Sequence, residues 1–497
     1  CPDGDRSRVR ALCIWLIVAL NGCVLPLGSG TDASAIRGFF QTEPISQLHV
    51  GVYAVDLSSG RELFSHNEDK KFIPASNQKI LVTAAAMSLF GPQHRFETRV
   101  GLMGESHGSF VDGDVVVCGS GDPTLSDRYW TSGSEAMRAI ADSLHDRGIR
   151  HVGGSLVVDV AAWDSATVGP TWEVEDLRYG YASTGGAFAI DEGEIELVVS
   201  AGSTAGAPVA VTWSPVGTTD FVRSELRTAP EGSGVGVRAD YLPESRAVVL
   251  RGEVETGIVD TVSIAMRDPV RQSVAALSRA IQEVGVELEG GWRVHWPSGD
   301  RAQPPSMEEE DGPCSRVEPV FSMRSPPMSE IVAGILKPSQ NWMTEQVVRA
   351  LGQSYGAEGS WEEGLGVVET FLVEEVGVRP SDLYARDGSG LSFYNLVTPR
   401  AIVSILTAMH NSQSADAFRA AMPAPGEEGS TLESRLEGLE GRVRAKTGTI
   451  SNVNSLSGYI VRGTGEEVAF SILSNGSGMP ASRVRSAIDE IVRALAR

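Results

Sequence analysis

Pro74-Ala75-Ser76-Asn77-Gln78-Lys79, running into the apolar stretch Ile80-Leu81-Val82-Thr83-Ala84-Ala85-Ala86-Met87, decides how the chain is read. A proline ahead of a small polar residue marks a helix start, and the Ala- and Leu-rich run after it is a buried helix. Residues three apart share a helix face, so Ser76 and Lys79 point the same way. A serine hydroxyl is a poor nucleophile until a neighbour takes its proton. A desolvated lysine can do this, because burial lowers its pKa. Lysine usage sharpens the reading. The chain has five lysines, Lys70, Lys71, Lys79, Lys337 and Lys446, and the other 37 of its 42 basic residues are arginines. Arginine does not lose its proton in a protein, so a lysine kept inside an apolar helix reads as a proton acceptor. A snorkelling lysine near a helix start is the ordinary alternative and stays open on this stretch alone.

Two further stretches share the same logic. Ser339-Gln340-Asn341 lies in an expected loop between two helices. A hydroxyl there can pass a proton to a leaving amine, and an amide can hold a substrate backbone and the Lys79 ammonium. Capping of the next helix by Ser339 is compatible with this. Lys446-Thr447-Gly448-Thr449 lies on an expected strand, Arg442 to Ile450. The chance expectation for its first three residues is about 0.03 matches. Lys446 and the Thr447 hydroxyl can bind a carboxylate. Gly448 lets a ligand backbone approach, and the Thr449 and Ser76 N–H groups can form an oxyanion hole. An edge-strand lysine beside a turn is the plain alternative, which the other two motifs disfavour.

Around these stretches the chain alternates in character. Leu48 to Ser65 reads as a hairpin leading into the Ser76 helix. From about Phe96 to Trp296 short strands dominate, with helices at Ala136 to Arg147 and Val270 to Val284. Arg301 to Pro313 is polar and reads as a linker or exposed loop. After Pro319 helices return, then three strands and a closing amphipathic helix from Ala481. A strand-and-helix core thus brackets a strand-rich insertion, and the first hairpin and last three strands would form one antiparallel sheet.

Ser-x-x-Lys, Ser-x-Asn and Lys-Thr-Gly in this order resemble the active-site set of penicillin-recognising serine enzymes. More narrowly, the chain resembles the low-molecular-mass class C penicillin-binding proteins, which are D-alanyl-D-alanine carboxypeptidases and endopeptidases. Gly119-Ser120-Gly121-Asp122-Pro123-Thr124-Leu125, Ser325-Pro326-Pro327-Met328-Ser329-Glu330-Ile331 and Asp387-Gly388-Ser389-Gly390-Leu391-Ser392 add to the match, which covers about residues 40 to 497. The resemblance implies an α+β fold. Its transpeptidase-like domain (36–91 and 319–497) carries an antiparallel sheet flanked by helices. Two nested strand-rich domains are inserted, one at 92–119 and 192–318, the other at 120–191. It implies acyl transfer through Ser76, with Lys79, Ser339, Asn341 and Lys446 catalytic and Thr447, Gly448 and Thr449 binding the substrate. Relatives bind the free amine end of the peptide stem at an acidic-aromatic cluster, to which Trp172, Asp176 and Tyr181 match best, with Glu175 competing with Asp176. An aromatic core with solvated acids is the plain alternative there. The Asp387 loop borders the site as a turn. Peptidoglycan peptides and β-lactam antibiotics are the implied partners. A serine β-lactamase and an inactive cell-wall scaffold of the same fold are the rival readings.

Composition bounds the rest. A net charge of −22 argues against binding a phosphate backbone. No His-Glu-x-x-His pattern occurs among the 8 histidines, so neither a metal nor another cofactor is expected. Arg6, Arg8 and Arg10, then Ala11 to Leu20, have the form of an export signal. Leu20-Asn21-Gly22-Cys23 resembles a lipoprotein processing site, so lipidation at Cys23 and cleavage before about Thr31 are both open. The expected location is the periplasm or cell envelope. Cys118 and Cys314 are left in the body; pairing is possible after export, with two separate buried thiols slightly favoured.

Overall fold

The computed structural model describes residues 36–214, 221–242, 244–245, 247–297, 312–317 and 319–497. The expected export segment with Cys23, and most of the 301–313 linker, lie outside these residues.

Five antiparallel strands form the central sheet, in the order Val443–Ile450, Val453–Val461, Glu467–Asn475, His49–Asp56 and Glu62–His66. The two ends of the chain therefore meet side by side, Val52 opposite Ile472. The inner strands do not alternate between buried and exposed residues, because helices cover both faces. On one face the Ala481–Leu495 helix sets Val484, Ile488 and Ile491 against Val52, Ala54, Leu456 and Phe470. On the other, Pro399–His410 packs with the Gln78–Leu89 helix in the main core. Gln78–Leu89 is buried all round from Gln78 to Met87, which explains why its sequence has no polar face.

The insertion leaves after this helix and returns before the Met328–Leu336 helix. Its entry strand, Glu97–His107, pairs with its exit strand, Pro319–Arg324, and with Phe110–Cys118. Phe110–Cys118 also pairs in parallel with His151–Val152 and Leu156–Asp159. The Gly133–Asp146 helix supplies the crossover such parallel strands require. Residues 151–159, expected in a 120–191 unit of their own, thus hydrogen-bond into the sheet begun by 97–118. Further on, Glu194–Ser200 pairs with Ala210–Ser214 and Val259–Ala265, and Ala247–Glu255 with Val235–Leu242.

One expectation is overturned. Cys118 and Cys314 form a disulfide, with Cα atoms 5.7 Å apart, and are not separate thiols. Cys118 ends its strand opposite Asp159, and the Asp159 carboxylate accepts the Cys314 N–H at 3.0 Å. That carboxylate fastens the 312–317 segment beside Cys118. A meeting across 196 positions leaves no mark in the local spacing.

Candidate active site

Ser76 sits in a tight 3-10 turn, Ala75–Asn77, that runs directly into the Gln78–Leu89 helix. Ala75 takes a left-handed φ of 48°, a conformation that costs about 1–3 kcal/mol and must be held from outside. Three contacts hold it. Ser455 Oγ donates to the Pro74 carbonyl at 2.7 Å, and Asn77 Nδ2 donates to the Lys446 carbonyl at 2.9 Å. Gly390, at φ 86°, presses so close that a Cβ there would lie 1.9 Å from the Ala75 carbonyl oxygen.

One turn on, Lys79 is fully buried. Its Nζ lies 3.0 Å from Ser76 Oγ, 2.7 Å from Asn341 Oδ1 and 2.7 Å from the Ser389 carbonyl. Burial holds the amine down at about 7; the Glu345 and then the Asp387 carboxylate pull the other way. The orientation of Asn341 is fixed from the insertion, because its Nδ2 donates to the Tyr181 carbonyl at 2.8 Å. Oδ1 is thereby left facing the lysine.

Ser339 has a φ of 70° in the loop before the Asn341–Tyr355 helix. It does not cap that helix. Gln340 does, its side chain accepting the Met343 N–H, while its amide donates to Glu192 of the insertion. Ser339 Oγ instead accepts from Lys446 Nζ at 2.8 Å. Lys446 is fully buried, and desolvation followed by the nearby Lys79 drives its amine well below the usual range. The Thr447 hydroxyl is engaged with Thr431 at 2.8 Å. At Gly448 an added Cβ would come within 2.9 Å of the Ser76 nitrogen.

These groups border a cleft of about 380 Å³ that holds Ser76, Ser339 and Asn341 on one side and Glu173, Asp176, Tyr181 and Thr449 around it. Asp176 Oδ1 accepts from the Tyr181 hydroxyl at 2.7 Å. Trp172 does not line the cleft. It is buried against Ala182 and Leu391, and its indole N–H is given to Asp387. Glu173, rather than Glu175, faces the cleft beside Asp176.

The Asp387 loop is more than the turn expected. Asp387 is fully buried and accepts from the Gly390 and Ser392 N–H groups, Asn395 and Trp172. Glu345, absent from the sequence reading, is buried beneath it and accepts the Gly388 and Ser389 N–H groups. Its position four residues after Asn341 was the available signal, since such residues share a helix face.

A profile of the D-Ala-D-Ala carboxypeptidase 3 (S13) family matches residues 33–497. The chain belongs to this family. It is a serine peptidase of the low-molecular-mass class C penicillin-binding type. A D-alanyl-D-alanine carboxypeptidase of Actinomadura sp. (strain R39) is 30% identical over 443 residues, 87% of this chain and 78% of the relative. Penicillin binding protein 4 of Haemophilus influenzae has a similar fold, with a TM-score of 0.77 and 22% identity over 93% of this chain and 99% of its own. The same protein in complex with a β-lactam superposes with a TM-score of 0.72 at 20% identity, over 93% and 99%.

Proposed function

We propose that this member of the family removes the terminal D-alanine from peptidoglycan stem peptides, and cuts cross-bridges whose leaving residue keeps a free carboxylate, through an acyl-enzyme on Ser76. The surroundings of Lys79 Nζ carry the reading. A neutral amine has two N–H donors and one lone pair. The Asn341 Oδ1 and Ser389 carbonyl oxygens only accept, so they take both N–H groups. The third neighbour, Ser76 Oγ, then donates its proton to the lone pair. This is the arrangement a general base needs before the hydroxyl attacks.

The steps follow. Lys79 takes the Ser76 proton as the Ser76 Oγ–carbonyl carbon bond forms. Lys79 gives that proton up through Ser339 to the amine as the carbon–nitrogen bond breaks, with Lys446 holding the Ser339 hydroxyl in place. Water then attacks the ester carbon, its proton going to the again neutral Lys79 and from there to the Ser76 oxygen as the ester bond breaks. Asn341 orients the peptide, while the Ser76 and Thr449 N–H groups stabilise the oxyanion. Lys446 and Thr447 face the leaving carboxylate, with Gly448 allowing its approach. Asp176 and Tyr181 receive the amine end of the stem, while Trp172 stays buried against Ala182 and Leu391. A β-lactam opens on Ser76 by the same attack and stays. The reading divides the chain into a catalytic unit, 36–91 and 319–497, with nested insertions. It places the protein outside the cytoplasm, which the Cys118–Cys314 disulfide supports.

Incubation with defined muropeptides, read by mass, tests the activity. Loss of terminal D-alanine by the wild type and not by Ser76→Ala is expected. Turnover of nitrocefin without trimming would favour a β-lactamase, and no labelling by fluorescent penicillin would favour a scaffold.

A further inference from the structure

The Asn341–Tyr355 helix reaches Lys79 twice, and only the first reach, through Asn341, has a place in the mechanism so far. The second runs through Glu345, one turn later on the same face. Glu345 is 1% exposed. Its Oε1 accepts the Ser389 N–H at 2.7 Å; its Oε2 accepts the Gly388 N–H at 2.9 Å and the Trp361 indole N–H at 2.9 Å. The Ser389 carbonyl that receives the Lys79 amine belongs to the residue whose N–H this carboxylate grips.

We propose that Glu345 is a positioning residue for the reaction: it aims the Ser389 carbonyl at Lys79 Nζ, so that the lone pair of the amine is left for Ser76, and its charge sets the pH at which that lone pair becomes free. The inference rests on the acyl-enzyme reading above. Three N–H donors on two oxygens favour the carboxylate, whereas burial, with Asp387 adding to it, pushes the group upward. The charged groups around it are Lys79 on the nucleophile helix, Asp387 in the loop above and Arg349 one turn further along its own helix. Lys446 lies beyond, across Lys79. The negative charge of a neighbouring carboxylate favours the Lys79 ammonium, so its loss frees the amine at lower pH.

The test is the rate of covalent labelling by fluorescent penicillin, followed against pH at several penicillin concentrations for the wild type and Glu345→Gln. In E345Q the acid limb moves down by roughly one pH unit. The limiting acylation rate falls by about 10–100-fold as the Ser389 carbonyl drifts, with the concentration for half-saturation unchanged. An unmoved limb with a limiting rate within about twofold of wild type, in a variant of native circular dichroism, overturns the proposal. If E345Q does not fold, Trp361→Phe decides. It keeps the ring but removes one of the three donors that favour the carboxylate, so the charge beside the ammonium is weakened and the limb falls; an unmoved limb overturns the proposal. A wild type that is never labelled would sink the acyl-enzyme reading itself, and the two failures are thus distinct.

Discussion

Lys79 combines full burial, three polar partners and an amine held near neutrality. Its ordinary pKa is 10.5 and its folded value about 7, so between these pH values the unfolded chain binds the extra proton. Stability contributed through this residue therefore rises as pH climbs from about 7 toward 10.5 and stays low beneath that window. Denaturant titrations of wild type and Lys79→Met across that range are expected to diverge in slope accordingly. Lys79→Arg carries a cation that does not deprotonate, and penicillin acylation should fall by about 10²–10⁴-fold. That Ser76, Lys79, Ser339, Asn341 and Lys446 would meet was legible from their residue types and short spacings. Glu345 and the Ser389 carbonyl were not. One acts through the other across 44 positions, and a backbone carbonyl has no letter in the sequence.

At the scale of elements, the nucleophile turn is clamped between strands and loop by contacts with no slack. A Cβ at Gly448 would stand 2.2 Å from Ser455 Oγ and 2.8 Å from the Pro74 carbonyl, both part of that clamp. Gly448→Ala should therefore displace Ser76 and lower the acylation rate by about 10²-fold while the protein still folds, which stopped-flow labelling and a melting curve check together. Ser455→Ala removes only the hydroxyl that holds Pro74, and should cost about 1 kcal/mol of stability. The hairpin, the last three strands and the closing helix could all be read from hydrophobic periodicity. The 3-10 start of the Ser76 helix could not, because a strained Ala75 is dictated by Gly390, more than 300 positions away in the chain. The cap by Gln340 instead of Ser339 has a similar origin, since Lys446 claims the serine hydroxyl.

Over the whole molecule, the insertion is fastened to residues of the candidate site and is not a passive appendage. Tyr181 sets the Asn341 amide, Glu192 holds Gln340 while paired with Arg128, and Trp172 buttresses Asp387. The Cys118–Cys314 disulfide closes the insertion's sheet near its exit. Reducing it, or replacing both cysteines by serine, should lower unfolding stability by about 2–5 kcal/mol in a denaturant titration. A strand-rich insertion between two helical stretches was visible in the switch from helices to short strands and back. How residues 151–159 join the first inserted sheet was not, because parallel pairing across a crossover helix is a tertiary choice. The most direct measurement of the central claim is the wild-type rate of penicillin acylation against pH, with the label mapped by peptide mass. A hydroxyl activated by the Lys79 amine predicts a label on Ser76 and a rate that climbs with pH to a plateau, with its midpoint near 7. A rate flat from pH 5 to 9, at about these limits of titration, or a label on any other residue, would contradict it.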